Sequence, residues 1–258
     1  MAIALLAWPG ALAIGLSLGL MGSGGSILTV PVLVYLLGQD EKVAIASSLA
    51  IVGCIALAGS VRYLRLGLVD GRSIVLFGVP GMAGTWLGAW ASQFVSGAMQ
   101  LAVFSVVMLL AAALMLRTKP STLAGPGAVK RRASHSIVAD GLAVGALTGF
   151  VGVGGGFLIV PALALLGGLN MQRAIGTSLL IIAAKSLVGF AKYQQVLAEQ
   201  QLSIDYNIIA IVALVGTIGS AFGSQIGCNL KAETLKKGFG YFLILMGTFI
   251  LLQSMGTL

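Results

Sequence analysis

Lys185 is the sharpest chemical feature of this sequence, because it is the one charge in an apolar run that extends from Arg173 to Lys192. It lies 12 residues past Arg173, roughly 18 Å along a helix that rises about 1.5 Å per residue. An ammonium that deep in a bilayer costs at least about 2.5 kcal/mol. It could compensate a bound anion, or alternate between charged and neutral states during proton coupling. The bland alternative is a lysine that snorkels or pairs with carbonyls inside a helix bundle.

Two glycine clusters are the second feature: Gly22-Ser23-Gly24-Gly25-Ser26 and Gly152-Val153-Gly154-Gly155-Gly156. Each glycine inside a helix loses about 1 kcal/mol against alanine. A helix break within a bilayer is tolerated only where the freed backbone groups are buried in protein or line a cavity. Such breaks at matching positions of two halves point to a transporter's substrate site. The amino ends of the short arms, at Ser26 and Phe157, would carry partial positive charge and free N–H groups, which suit a small anion. Missing side chains at Gly24, Gly25, Gly154, Gly155 and Gly156 would let the anion reach the backbone, and Ser23 and Ser26 add hydroxyl donors. Alternatively, the glycines only permit close helix packing. Ser47, Ser48, Thr177 and Ser178 stand one turn inside their spans. Their hydroxyls either face the glycine tips or bond back to a carbonyl one turn earlier.

The elements that would position these residues follow from composition. Of 258 residues, 58% are hydrophobic and 9% charged, far from globular averages near 25% charged. The apolar content arrives in uncharged runs long enough to cross a hydrocarbon core, which needs roughly 20 helical residues. The runs lack the alternation of barrel strands, so an all-α polytopic membrane protein is expected. The 37 residues from Ala2 to Gly38 carry no charge, yet one straight helix of that size would be about 55 Å long. The glycine cluster divides them into a full arm, about Ala2 to Met21, and a short arm, Ser26 to Leu37. The pair forms a hairpin whose tip dips into the membrane. Further spans are expected at Val43 to Leu64, Ile74 to Phe94, Ala98 to Leu116, Ala174 to Gln194, Asn207 to Cys228 and Leu235 to Leu252.

The chain repeats itself. Leu142 to Tyr193 aligns without a gap on Leu12 to Tyr63, with 21 of 52 positions identical, where chance for so apolar a composition would give roughly 5. Ala44-Ile45-Ala46-Ser47-Ser48-Leu49 returns as Ala174-Ile175-Gly176-Thr177-Ser178-Leu179, and Lys185 falls opposite Ile55. After five extra residues Asp70 matches Asp205, and Gly84-Thr85 matches Gly219-Ser220. The expected organisation is a first transmembrane repeat over 1–116, a cytoplasmic linker over 117–136 and a second repeat over 137–258. Each repeat comprises a glycine-tipped helical hairpin plus three spans. If the halves are inverted, 12 basic residues face the cytoplasm against 2 outside, whereas parallel halves give 9 against 5. The positive-inside rule therefore favours inversion, with both termini outside the cytoplasm.

The glycine pattern ahead of Pro31 and Pro161, followed by the Ala-Ile-x-Ser/Thr-Ser-Leu echo, resembles the TauE/SafE sulfite exporter family of membrane transporters. The likeness covers essentially the whole chain. It implies transport of a small sulfur-containing anion (sulfite, thiosulfate or an organosulfonate such as sulfoacetate) across the cytoplasmic membrane. It also implies binding at the glycine tips and at Ser47, Ser48, Thr177 and Ser178. A proton or cation is a possible coupling partner. The first half carries Ser23 and Ser26 where the second has Val153 and Gly156.

Other classes fit less well. The formal charge of +8 sits mainly between spans, as topology signals do, so nucleic-acid binding is not expected. A passive anion channel would use the same tip. An intramembrane enzyme built on Ser23 lacks a base, since the single histidine, His135, lies in the linker and Val153 replaces the serine in the second half. His135 and Asp140 could admit protons, though a solvated interface histidine is the simpler assignment. Cys54 and Cys228 fall inside spans at unmatched positions and are expected to pack as small apolar residues, with no disulfide, metal or cofactor. Trp8, Trp86 and Trp90 suit aromatic anchoring near an interface, with a place along the pathway as the alternative. Met1 to Ala13 is apolar like a signal-peptide core but lacks a basic flank, and it is expected to stay in the mature protein.

Overall fold

A computed structural model describes residues 2–21, 24–117, 134–163, 168–229 and 232–255. Gly22 and Ser23, positions 118–133 of the linker and the side chain of Cys228 lie outside what is described. The described residues are helical throughout their ordered elements, with no strand among them. Five of the helices are long and apolar enough to cross a bilayer. The chain is thus an all-α, polytopic membrane protein, as its composition requires.

The first hairpin comprises α1 (Ala2–Met21) and α2 (Gly24–Pro31), which runs on through a π turn at Val32–Leu36. Pro31 has no N–H to give the carbonyl a turn back, so the ladder loosens there into i→i+5 pairing. Next come α3 (Glu41–Arg65), α4 (Gly71–Phe94) and α5 (Gly97–Arg117). The π turn Ile74–Gly78 within α4 lies instead just before a proline, Pro80. The second series is α6 (Ser134–Val151), α7 (Gly156–Pro161), α8 (Met171–Glu199), α9 (Tyr206–Asn229) and α10 (Ala232–Met255). Observed spans exceed the expected ones by a few residues because polar caps extend them. Asp40 Oδ1 accepts from the Lys42 N–H at 2.9 Å, and Asn170 Oδ1 accepts from Arg173 at 2.8 Å. Asp70 caps α4 through the Ser73 N–H, and Asp205 caps α9 through the Asn207 N–H. A side-chain acceptor at this position satisfies an otherwise orphaned amide and fixes where the helix starts.

α3 and α8 pack on each other and form the inner layer. Their spans are 83% and 67% buried, against 39% for α4 and 44% for α9. Around them, α1 lies along α9 and α4 lies along α6, while α10 packs on α5. These contacts are close because glycines meet backbone. A methyl on Gly15 would strike the Gly216 carbonyl, and one on Gly145 would strike the Gly81 carbonyl. Without a hydrophobic drive between helices in lipid, such approach is what gives them van der Waals contact. The two short arms, α2 and α7, also touch each other in the interior.

The outer faces carry the large exposed apolar side chains, among them Val75, Leu214, Phe222 and Leu245, as a lipid-facing surface should. Trp8, Trp86 and Trp90 lie on that outer surface, 54%, 46% and 44% exposed, which agrees with anchoring rather than a place in a buried pathway. Cys54 departs from expectation. It is unpaired, but it projects outward from α3 instead of packing inside.

Candidate functional site

Lys185 is the midpoint of α8, 14 residues from Met171 and 14 from Glu199. Its side chain is 1% exposed, so it does not snorkel. Lys185 Nζ donates to Thr148 Oγ1 at 3.0 Å, and Thr148 Oγ1 donates in turn to the Gly145 carbonyl at 3.1 Å. Among the described residues no carboxylate is within ion-pair distance of Nζ. The lysine stem lies against α4, where a methyl on Gly81 would come 3.3 Å from Cδ. Its neighbour Ser186 is fully buried, and its Oγ has no hydrogen-bond partner.

Beside this pair α6 unwinds. Gly152, Gly154 and Gly155 have φ of +72°, +62° and +78°, a left-handed backbone that costs other residues roughly 1–2 kcal/mol. Space is equally restrictive. A methyl on Gly154 would lie 2.7 Å from Ser186 Oγ, and one on Gly155 would collide with the Thr148 side chain. The turn is held from both sides. Ser48 Oγ donates to the Gly152 carbonyl at 2.7 Å, while Tyr193 Oη donates to the Phe150 carbonyl at 2.9 Å. Gln100 Nε2 also bonds the Phe150 carbonyl and reaches Tyr193 Oη at 2.9 Å. Gly156 opens α7 and is buried.

The structure therefore brings Lys185 together with Gly154 and Gly155, and brings Ser48 onto Gly152. The remaining hydroxyls have other surroundings. Ser47 is buried with an unpartnered Oγ. Thr177 Oγ1 accepts from the Asp70 N–H at 2.9 Å, which ties α8 to the loop before α4. Ser178 Oγ bonds back to the Ile175 carbonyl at 2.8 Å, and Ser48 also bonds back to Ile45. In the first hairpin Gly24 opens α2, and Gly25 is wedged against the Ile14 carbonyl and Leu18, an apolar setting. Ser26 is buried one residue further on.

Thr148 and Ser186 escaped the sequence reading, although a signal for them existed. Leu18, Ile55 and Ala56 in the first half align with Thr148, Lys185 and Ser186 in the second. Three apolar positions become three polar ones, and the fold places those three together. Attention to the identities of the repeat hid its differences. The clamp of Tyr193 and Gln100 on Phe150 was also missed, because 93 residues separate its two side chains.

Comparison with known proteins agrees with this architecture. The family described as Sulfite exporter TauE/SafE matches residues 7–250. A "Probable membrane transporter protein" of Xylella fastidiosa (strain 9a5c) is 32% identical over 251 residues, covering 95% of this chain and 94% of its own. "Probable membrane transporter protein YunE" of Bacillus subtilis (strain 168) is 28% identical over 253 residues, covering 88% of this chain and 90% of its own. "Probable membrane transporter protein MJ0441" of Methanocaldococcus jannaschii is 24% identical over 263 residues, covering 96% of this chain and 97% of its own. No solved structure matches. On the extent of the family match and these full-length relatives, the chain belongs to the TauE/SafE sulfite exporter family, a family of membrane transporters and not of enzymes.

Proposed function

We propose that the protein is a secondary transporter of a small sulfur-containing oxyanion (sulfite, thiosulfate or an organosulfonate such as sulfoacetate) across the cytoplasmic membrane. The observation that carries this reading is the Lys185 amine, buried at the middle of an inner helix with a neutral hydroxyl as its described partner. A buried charge without a counter-charge is costly, and an arriving anion would supply one. The unwound turn at Gly152 to Gly155, the unpartnered Ser186 hydroxyl and Ser48 lie around it. Ser47, Thr177, Ser178 and the first tip, Gly22 to Ser26, belong to the same proposal.

The halves 1–116 and 137–258, joined by the linker 117–136, are read as inverted repeats that rock about these tips to give alternating access. The sequence repeat and the count of basic residues by loop support that reading. A coupling proton would be exchanged at Lys185.

Thermal unfolding of purified protein with sulfite, thiosulfate, sulfoacetate, sulfate and acetate tests the substrate class, since a ligand of the folded state raises its stability. The reading expects stabilisation by one or more of the sulfur anions and none by acetate. Equal stabilisation by all five, or by none, would overturn it.

A further inference from the structure

An open pocket lies between α3 and α9, away from Lys185. It has a volume of about 410 Å³, and its polar lining residues are Arg62, Arg65, Thr217, Ser224 and Gln225, with Gly59 and Ala221 in its wall. Arg62 and Arg65 are three apart on α3 and so share one face. No carboxylate is among the described lining residues. Arg62 Nε is buried without a hydrogen-bond partner. Behind Gly59, the buried Ser220 Oγ is also unpartnered, close enough that a methyl on Gly59 would come 2.8 Å from it.

The sequence-equivalent crevice between α8 and α4 shows what a closed version looks like. Position 62 aligns with Lys192, and positions 221 and 225 align with Trp86 and Trp90. There the cation is occupied, since Lys192 Nζ lies 5.1 Å from the centre of the Trp86 ring, a cation–π contact. Between α3 and α9, Ala221 and Gln225 leave the corresponding space open, and the guanidinium faces the pocket. A topology signal needs only positive charge at a helix end. It needs neither a concave pocket nor a desolvated, unpartnered guanidinium nitrogen.

We propose that this pocket is an oxyanion-binding site, distinct from the Lys185 site, in which Arg62 and Arg65 hold a sulfate-, sulfonate- or phosphate-type group. Guanidinium forks match the paired oxygens of such groups, and Thr217 and Gln225 can supply neutral donors, whereas Ser224 Oγ already donates to the Ala221 carbonyl at 2.9 Å. The same chemistry is offered by a free anion from solution and by the head group of an anionic lipid.

The test uses the full chain carrying Lys185→Ala, so that the central site does not contribute. Sodium sulfate is titrated against protein in neutral detergent, and phosphatidylglycerol retention is measured after reconstitution into mixed phosphatidylglycerol and phosphatidylcholine nanodiscs. Each is repeated with Arg62→Gln/Arg65→Gln and, separately, with Gln225→Trp, which copies the aromatic of the closed crevice. Sulfate affinity reduced about 10-fold or more by both changes identifies a site for free oxyanions. Phosphatidylglycerol retention lost in both, without sulfate binding, identifies a lipid phosphate site. Binding of both probes unaltered by either change, or no binding of either probe to the parent, overturns the proposal. Because Lys185 is already removed, failure here leaves the central transport site untouched, and failure there leaves this one standing.

Discussion

Lys185 Nζ lies 3.0 Å from Thr148 Oγ1, so the middle of α8 is fastened to α6 three residues before that helix ends. The bond spans two elements that a transporter would need to move apart. It gives the ammonium one neutral oxygen where a buried cation ordinarily has a carboxylate, and several consequences can be measured.

Removing the charge should stabilise the resting protein. Lys185→Met keeps most of the side-chain volume and abolishes a burial cost of at least about 2.5 kcal/mol. Thr148 still donates to Gly145, so no hydroxyl proton is stranded. The melting temperature of ligand-free Lys185→Met should equal or exceed that of the parent, and a clear fall would show that the lysine is a structural brace.

Thr148→Val should act in the opposite direction. It deprives Nζ of its acceptor without changing shape, which costs about 1–3 kcal/mol in the absence of anion. Combined with Lys185→Met, the cost should vanish, giving a coupling energy above about 0.5 kcal/mol in a double-mutant cycle. Strict additivity would mean that the bond has no energetic content.

The second tip should tolerate no side chain. Gly155→Ala combines a φ of +78° with a collision against Thr148 and should lose more than about 1 kcal/mol. Gly71→Ala is the control, since a methyl there meets nothing within 4 Å and lies in a helical turn, so stability should hold or rise slightly. Equal effects at the two positions would remove the argument that the turn at Gly152 to Gly155 is conformationally fixed.

The elements were largely legible in the sequence because membrane helices announce themselves by uncharged length. The starts expected at Val43, Ile74, Ala174 and Asn207 fall one to three residues inside the observed ones, because Asp40, Asp70, Asn170 and Asp205 cap the helices earlier. The site was legible only in part. Lys185 stood out because a charge in a span is rare, and Gly154 and Gly155 because glycine clusters are costly in helices. Thr148 and Ser186 did not, since a hydroxyl in a membrane helix usually bonds back to its own backbone, as Ser178 does. Nor could apolar composition tell a lipid-facing cysteine from a packed one, which is why Cys54 was misplaced. The Arg62 pocket was hidden for a related reason: its arginines look like ordinary topology signals until Ala221 is seen where the other half has Trp86.

The clamp on Phe150 offers an independent check on the turn. Tyr193→Phe and Gln100→Leu each leave the other donor on the Phe150 carbonyl, so each should cost only about 0.5–1.5 kcal/mol. The double variant strips the carbonyl of both and should cost more than the sum of the singles. A double no worse than either single would show that the carbonyl finds another partner and that the clamp is incidental.

Sulfite counterflow in proteoliposomes tests the central claim most directly, because it demands both a saturable site and exchange across the membrane. The parent protein should show saturable uptake of labelled sulfite driven by internal unlabelled sulfite, and Lys185→Met, folded and at least as heat-stable, should lose that uptake. Undiminished counterflow in Lys185→Met would contradict the assignment of this lysine as the cation that receives the anion.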